Sequence, residues 1–163
     1  MKHVLFLSYD GMTDPLGQSQ VIPYLKGLTV AGYRFTILSC DKPSNFLESK
    51  DQVFQTLQGF PINWVSIPYH KNPPVLSSLF DVLQMRKKAA EIHSKDPVDM
   101  VHTRPGIPPL VALWMKKKFG VKYVNDIRGF WADERVDGGM WNLRNPVFKM
   151  IYKFFKAEED KCI

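Results

Sequence analysis

Short apolar runs alternate with longer segments of helical periodicity along the chain. The run at 4–7 is continuously apolar, the run at 35–38 is apolar except for Thr36, and a third alternates apolar and polar residues before it ends at Pro68. Continuous apolar runs of this length are typical of parallel strands that are buried on both faces. Two shorter runs complete the set of strand candidates. The five predicted strands lie at 4–7, 35–38, 62–67, 98–101 and 121–124.

Four other segments carry apolar residues at helical spacing. The predicted helices lie at 18–31, 76–94, 107–119 and from Asn145 onwards. In 76–94 the repeating apolar residues are Leu76, Leu79, Phe80, Leu83 and Ala90. Glycines at 32 and 120 end two of the helices, and prolines fall in first turns, where a missing N–H costs little. The segment between the second and third strands is predicted to be irregular, and 129–145 is predicted to be a long loop.

The order of these elements defines a fold class. Strands that alternate with helices favour right-handed crossovers and a mostly parallel sheet that helices cover. We therefore predict a Rossmann-like, doubly wound α/β fold with at least five strands flanked by helices. An α+β domain is the alternative. In the common strand order 3-2-1-4-5, a ligand binds at the carboxyl ends of the strands, between the first and the fourth.

Composition narrows the classes of protein. The chain has 163 residues, of which 45% are apolar, and a net charge of +6. This size and apolar content fit one domain with a real core and exclude a disordered tail. No apolar run approaches the roughly 20 residues that span a bilayer. Two cysteines, Cys40 and Cys162, and four scattered histidines predict neither a disulfide framework nor a metal site. We expect reduced thiols in a cytoplasmic protein.

The loop after the first strand, residues 9–20, is a candidate ligand-binding segment. Gly17 directly precedes the first helix, where a ligand could approach backbone N–H groups and where the helix dipole favours a phosphate or sugar oxygen. Gly11 and Gly17 are six residues apart and do not form the dinucleotide-binding pattern G-x-G-x-x-G. Among the residues after the second strand, Asp41 is the one acid that could bind a ribose. A plain Gly-Pro turn is the alternative.

The loops after the fourth and fifth strands are the other candidates. Arg104 follows the fourth strand and is suited to an anion or a hydroxyl-rich ligand, whereas His102 is expected to be a packed or surface residue. The 17 residues of 129–145 contain two tryptophans and two arginines. A loop of that length is usually functional or disordered, and flat aromatic faces suit sugar rings. A surface loop that its tryptophans hold in place is the alternative.

Several of these segments resemble one family. The sequence LGQSQVIPYLKGLTVAGYRFTIL (16–38) resembles the opening of the family-4 retaining glycosyltransferases of GT-B architecture. Residues 99–104 and VKYVNDIR (121–128) resemble that family's fourth and fifth strands. Tyr33 stands where His is usual, and Arg128 stands where many members have a His near the reacting sugar. The resemblance covers nearly the whole chain, but only as the family's N-terminal domain.

The resemblance implies transfer of a sugar from a nucleotide sugar to a glycan or lipid-linked acceptor, with retention at the anomeric carbon. No cofactor or metal is implied, because the nucleotide sugar is a substrate. Residues 1–163 would form a single, truncated acceptor-side domain. The nucleotide-sugar-binding C-terminal domain would be absent from this sequence and would act as a partner of the domain. The fragment alone is then expected to be inactive.

The resemblance and the loop positions together assign roles to seven residues. Asp126 and Arg128 would orient the reacting hydroxyl as catalytic residues. Gly17 and Gln18 would contact the donor phosphate or the transferred sugar through backbone N–H groups. Three further residues are predicted to bind substrate, Arg104 beside the acceptor and, in the long loop, Trp131 and Arg135.

Other functions stay open at this point. The chain could be a non-catalytic ligand-binding module of Rossmann-like fold, or a dinucleotide-binding domain, although the missing G-x-G-x-x-G argues against the latter. Basic residues cluster at 86–88, 116–118 and 149–156, all on or at the ends of predicted helices. No nucleic-acid recognition motif accompanies them, so we expect no nucleic-acid partner. Contact with an anionic membrane surface suits these clusters better. The family resemblance implies a peripheral position at the inner membrane face.

Overall fold

A computed structural model describes residues 1–73, 75–127 and 129–160. Five strands form one sheet, and every pair of neighbours is parallel. The strands are β1 (Lys2–Ser8), β2 (Tyr33–Asp41), β3 (Ile62–Pro68), β4 (Met100–Thr103) and β5 (Lys122–Asn125). Their order in the sheet is β3-β2-β1-β4-β5. The predicted Rossmann-like class is confirmed, and the α+β alternative is wrong.

Helices connect the strands and cover both faces of the sheet. A π-helical turn (Gly17–Val21) leads into α1 (Ile22–Thr29). The other helices are α2 (Pro43–Leu57), α3 (Leu76–Lys95), α4 (Pro108–Phe119), α5 (Trp131–Asp137) and α6 (Pro146–Asp160). The four predicted helices are present, with small differences at their ends. Two further helices, α2 and α5, were not predicted. No helix in the described ranges is long and apolar enough to cross a membrane.

Residues 43–57 form a helix instead of the predicted irregular segment. α2 buries only two apolar side chains, Val53 and Leu57, while Leu47 and Phe54 are exposed. Phe46, Val53 and Leu57 nevertheless stand at helical spacing, so the prediction of an irregular segment missed a signal that the sequence holds. Pro43 lies in the first turn, after an extended Lys42, and suits a helix start.

The predicted long loop at 129–145 contains α5. Its first turn carries Asp133 and Glu134, which the helix dipole favours at that end. A tertiary contact stabilises the helix, because the centre of the Trp131 ring lies 4.8 Å from that of the Phe155 ring in α6. A seven-residue helix that depends on a partner 24 positions along the chain leaves little local signal.

The core forms two layers, one on each face of the sheet. Val4 and Phe6 point towards α1 and α2, and Leu5 and Leu7 point towards α3 and α4. All four side chains are buried, which is why the run at 4–7 is continuously apolar.

α3 turns a different face to the core than its apolar stripe indicates. Leu76, Leu79, Phe80 and Leu83 are each more than half exposed, at 51–63%. The buried residues of α3 are Ser77, Asp81, Val82, Met85 and Ala89. α3 therefore lies where the apolar periodicity predicts it, but most of the apolar residues on which that prediction rests are exposed and lie outside the core.

Candidate functional site

Three loops meet at the carboxyl edge of the sheet, as the strand order requires. The backbone N–H of Arg104 donates to the carbonyl of Leu7 at 3.1 Å, and that of Asp126 donates to the carbonyl of Thr103 at 2.8 Å. These bonds continue the ladders of β1, β4 and β5 beyond the strands. They bring Arg104 and Asp126 to one edge, next to the loop that follows β1.

A buried acid organises the loop after β1. Asp41, at the end of β2, is almost fully buried and accepts hydrogen bonds from the backbone N–H and the hydroxyl of Thr13 at 3.1 and 2.9 Å. The hydroxyls of Ser39 and Ser66 donate to its other oxygen at 2.6 and 2.8 Å. Both oxygens of Asp41 are therefore occupied by the protein. A nucleotide ribose would have to displace these bonds, which disfavours the dinucleotide alternative.

Two glycines let this loop fold closely on itself. A Cβ atom on Gly17 would lie 2.7 Å from Cα of Met12 and closer still to the carbonyl oxygen of Gly11. A Cβ atom on Gly11 would lie 2.6 Å from a carboxylate oxygen of Asp41. Backbone atoms beside Gly17 cannot move aside cheaply, and the Asp41 carboxylate beside Gly11 is held by four hydrogen bonds, so both positions need glycine for packing. The π-helical turn that begins at Gly17 is a rare conformation often found at functional sites.

Gln18 holds the same loop. Its backbone N–H donates to the carbonyl of Asp14 at 3.1 Å, and its side-chain amide donates to the carbonyl of Thr13 at 3.2 Å. Both donors are used within the protein in this conformation. The contacts of Gly17 and Gln18 with a ligand stay a prediction.

Arg104 is the least satisfied polar residue at this edge. Its side chain is only 10% exposed, and Nε lies 3.9 Å from a carboxylate oxygen of Asp10. Nε and Nη1 are buried and have no hydrogen-bond partner among the residues that the structure describes. Burying a charged group without hydrogen bonds is costly. Guanidinium pairs well with anions and hydroxyls, and oxygen atoms of a ligand could supply the missing bonds once the side chain turns outwards, because both nitrogens are shielded from solvent in this conformation.

Asp126 directly follows β5, as Arg104 directly follows the neighbouring β4, and is partly exposed. Thr103 and Asn125, which precede Arg104 and Asp126, are joined by a 2.9 Å hydrogen bond between the Thr hydroxyl and the Asn side-chain oxygen. Arg128 lies outside the described residues, so its predicted catalytic role with Asp126 stays a prediction. His102 is buried between the rings of Phe6 and Tyr24, at 5.0 and 5.9 Å, as expected for a packed residue.

Trp131 and Arg135 lie together in α5. The Arg135 guanidinium stands 4.7 Å from the centre of the Trp131 ring, and its Nη1 donates to the sulfur of Met140 at 3.1 Å. Gly106 lies so close to the indole that a Cβ atom there would be 2.9 Å from it. Trp131 is thus packed against the turn that follows Arg104. Substrate contact by Trp131 and Arg135 stays a prediction.

Polar contacts attach α6 to α5. Asp133 accepts hydrogen bonds from Lys156 at 2.8 Å and from Tyr152 at 2.7 Å. These two donors lower the pKa of Asp133 below its usual range. Glu159 accepts a hydrogen bond from the backbone N–H of Ala132 at 2.9 Å. The cavity between this helix pair and the turn at 105–106 measures only about 30 Å³, enough for one water molecule.

Sequence reasoning missed two features near this edge. The first is a polar cluster in which Asp81, fully buried in α3, accepts a hydrogen bond from Tyr9 at 2.9 Å and lies 2.6 Å from Nδ1 of His70. Burial, with this hydrogen bond, raises the pKa of Tyr9. The second is a groove of about 600 Å³ between α3, α4 and α6. The apolar stripes at 76–83 and 147–155 are the only sequence signal for it.

Comparison with known proteins gives the fold but no family. No family model matches the sequence, and no curated protein matches it. Solved structures do match. The C-terminal domain of a hydrogenase from Pyrococcus furiosus superposes with a TM-score of 0.56 at 16% identity, covering 77% of this chain and 90% of that one.

Two glycosyltransferase structures share the fold as well. Apo UGT2 of Phytolacca americana matches with a TM-score of 0.54 at 10% identity, and a UGT transferase from Siraitia grosvenorii in complex with UDP matches with 0.50 at 14%. Each match covers 77% of this chain but only 29% and 28% of those proteins. The chain therefore spans less than a third of the transferases that it resembles. At such identities the likeness shows the fold alone.

Proposed function

We propose that the chain is the acceptor-side domain of a retaining glycosyltransferase built from two Rossmann-like domains. It would hold a glycan or lipid-linked acceptor while a sugar is transferred from a nucleotide sugar. The sequence resemblance to family-4 enzymes supports this function. The shared fold with two glycosyltransferases is consistent with it, although a hydrogenase domain has the same fold.

The observation that carries the proposal is the buried guanidinium of Arg104. It lies at the switch between β1 and β4, where ligands of open α/β sheets bind. Its Nε lies 3.9 Å from the half-exposed carboxylate of Asp10, and two of its nitrogens lack hydrogen-bond partners among the described residues. A site of this kind suits an acceptor that presents several oxygen atoms, such as a sugar or a phosphate group.

The roles of the other residues follow from their positions. The proposal gives Asp126 and Arg128 the task of orienting the acceptor hydroxyl. Its oxygen then forms a bond to the anomeric carbon as the bond to the nucleotide phosphate breaks, and the departing phosphate takes up the hydroxyl proton. The loop of Gly11 and Gly17 would face the donor. Most contacts with the nucleotide would come from the enzyme's own C-terminal domain, which supplies the other wall of the cleft.

Sugar transfer by the full-length protein tests the proposal. Nucleotide sugars and acceptors are screened, and the anomeric configuration of the product is read by NMR. We expect retention, and we expect Arg104→Met and Asp126→Ala to lower turnover at least ten-fold, an order-of-magnitude expectation for lost charged contacts. Arg34→Met is the matched control, because Arg34 pairs with Asp96 at the opposite edge of the sheet. Near-normal turnover in both site variants would contradict the assignment, and inversion would contradict the retaining class.

A thermal-shift screen separates the proposal from the dinucleotide alternative. Nicotinamide cofactors are compared with nucleotide sugars at saturating concentrations, because a ligand that binds only the folded state raises Tm. A clear shift with a nicotinamide cofactor alone would favour the dinucleotide function. With both oxygens of Asp41 occupied by Thr13, Ser39 and Ser66, we expect no such shift.

A further inference from the structure

The groove between α3, α4 and α6 has the size of a small-molecule binding site. Its volume is about 600 Å³, and Leu79, Met150 and Phe154 form its exposed mouth. Binding sites for small molecules usually have volumes of about 300–1,000 Å³. The cavity beside the turn at 105–106 measures only about 30 Å³ and could not hold such a ligand. We call the larger feature the α3–α6 groove, and it has room for one small organic molecule.

Apolar side chains form most of the lining of the α3–α6 groove. Val82 and Ile107 line it and are buried, so they lie at its floor. Trp131 and Phe155, whose ring centres are 4.8 Å apart, line it as well. A sugar chain needs hydrogen-bond partners for its many hydroxyl groups, and a lining of this kind offers few of them. The groove therefore favours a ligand with an apolar body, which gains free energy when it leaves water.

The few polar residues of the groove carry positive charge or hydroxyl groups. They are Lys71, Ser77, Ser78 and Arg86. No acid belongs to the lining within the described part of the chain. A ligand with a negatively charged head would complement this set, whereas a cationic head would meet like charges. The lining as a whole therefore fits an amphiphile, with an apolar body and an anionic end.

Arg86 lies at one end of the groove, because it also lines the shallow depression beyond, beside Trp114 and Lys118. Its guanidinium stands 5.8 Å from the centre of the Trp114 ring. Nε is shielded from solvent and has no hydrogen-bond partner among the described residues. Burial of a charged nitrogen without hydrogen bonds costs stability, and an anion close to the guanidinium would offset that cost. A carboxylate matches the planar fork of a guanidinium group and suits this end of the groove.

We propose that the α3–α6 groove binds one molecule of a single-chain carboxylate, such as an ionised fatty acid. The chain would lie over Val82 and Ile107 with its far end against Trp131, and the carboxylate would pair with Arg86. A second copy of the protein is a poorer occupant, because the cations of the two grooves would then face each other. The inference does not rest on the proposed function, since binding of this ligand needs no sugar transfer.

Titration of the full-length protein with dodecanoate, below its micelle concentration, tests the proposal. Trp131 and Trp141 line the groove, so tryptophan fluorescence should report binding, and calorimetry gives the stoichiometry. We expect saturation at one molecule per chain. Dodecanol has the same chain without the charge and should bind about ten-fold more weakly, and acetate, which has the charge without the chain, should not bind. Equal affinities for dodecanoate and either of the other two probes, or binding that does not saturate, would overturn the proposal.

Variants of Arg86 test where the carboxylate binds. Arg86→Met should weaken dodecanoate binding about ten-fold and leave dodecanol binding unchanged, because only the charged head loses its partner. Arg86→Lys keeps the charge and should restore most of the affinity. Lys87→Met is the matched control, since Lys87 is the next residue of α3, is exposed and does not line the groove. An equal loss of dodecanol binding in Arg86→Met would overturn the assignment of the carboxylate to Arg86.

A second pair of variants tests where the chain of the ligand binds. Met150→Glu places a negative charge at the mouth of the groove, and Leu47→Glu places one on α2, where Leu47 is exposed to a similar extent. We expect Met150→Glu to weaken dodecanoate binding about ten-fold and Leu47→Glu to leave it unchanged.

Two outcomes would show that the groove is not the ligand site. If neither Met150→Glu nor Arg86→Met weakens binding, dodecanoate binds elsewhere and the proposal is wrong. A dimer in sedimentation equilibrium that Met150→Glu dissociates would assign the groove to a second copy and also overturn it. Circular dichroism of each variant shows that it is folded, which we expect because Met150 and Leu47 are mostly exposed.

Discussion

Asp41 fixes the position of Thr13 through two hydrogen bonds to one carboxylate oxygen, from the backbone N–H at 3.1 Å and from the hydroxyl at 2.9 Å. The other oxygen accepts from Ser39 and Ser66. One buried side chain therefore ties the loop after β1 to β2 and β3. The shape of the candidate site depends on an acid that lies outside the three loops that form it.

Asp41→Asn is expected to destabilise the fold by about 2–3 kcal/mol, because an amide group brings donors to face donors and leaves a buried hydrogen bond unmade. Urea unfolding measures the change as a lower midpoint at constant slope. Asp51→Asn, on the exposed side of α2, is the control and should change little. Equal midpoints for the two variants would show that the buried carboxylate contributes nothing to stability.

Gly17→Ala and Gly27→Ala are expected to change stability in opposite directions. A methyl group on Gly17 would collide with the backbone of Gly11 and Met12, and we expect a cost of about 1–3 kcal/mol. Gly27 lies within α1 and has no atom within 4 Å of the added carbon, so alanine should stabilise the helix by about 0.5–1 kcal/mol. Thermal unfolding of the two variants should show a lower Tm for Gly17→Ala and a higher Tm for Gly27→Ala. A Gly17→Ala protein as stable as the parent would mean that the loop can relax.

Acid is expected to loosen α6 from α5. Hydrogen bonds from Lys156 and Tyr152 lower the pKa of Asp133, so the carboxylate stabilises the contact above the unfolded pKa of about 3.9. That contribution is lost as the pH falls through the lowered, folded-state pKa. Hydrogen exchange measures the effect as the protection factors of the α6 amides, which correct for the intrinsic pH dependence of exchange. We expect lower protection factors at pH 3 than at pH 7.

Asp133→Asn is the control for that experiment. At pH 7 its α6 amides should have lower protection factors than those of the parent. Its protection factors should also differ less between pH 7 and pH 3. If the parent protein shows equal protection of α6 at both pH values, the Asp133 link does not hold the helix.

Sequence pattern predicted the sheet well because each buried strand carries its own evidence. Residues 4–7 are apolar throughout since helices cover both sides of β1. The predictions that were wrong concern side chains whose positions depend on residues far away in the sequence. Asp81 turns inwards to meet Tyr9 and His70, and Leu79 of α3 then lies outside. No pattern within α3 records the position of Tyr9.

The candidate site divides in the same way. Position alone singled out Arg104, because a basic residue directly after the fourth strand must lie at the carboxyl edge. The role of Asp41 could not be predicted, since its partners come from residues 13, 39 and 66, which only the fold brings together. Strand order therefore predicts that Arg104 lies at the site, but it does not predict the hydrogen-bond partners of Asp41.

Arg104→Met is expected to leave the free energy of unfolding unchanged or to raise it by about 1 kcal/mol, although it should lower turnover of the full-length protein at least ten-fold. The buried Nε and Nη1 have no hydrogen-bond partner among the described residues, and methionine fills a similar space without burying a charge. Asp10 is half-exposed and loses little when the guanidinium leaves.

Arg34→Met is the comparison for that prediction. Arg34 makes a two-pronged contact with Asp96 at the protein surface, so its loss should cost up to about 1 kcal/mol. Urea unfolding of both variants shows whether each substitution raises or lowers the free energy of unfolding. A residue kept for binding a ligand weakens the fold or leaves it unchanged, whereas a residue kept for structure stabilises it. A loss of more than about 2 kcal/mol in Arg104→Met would therefore make Arg104 a structural residue and remove the main support for the acceptor site.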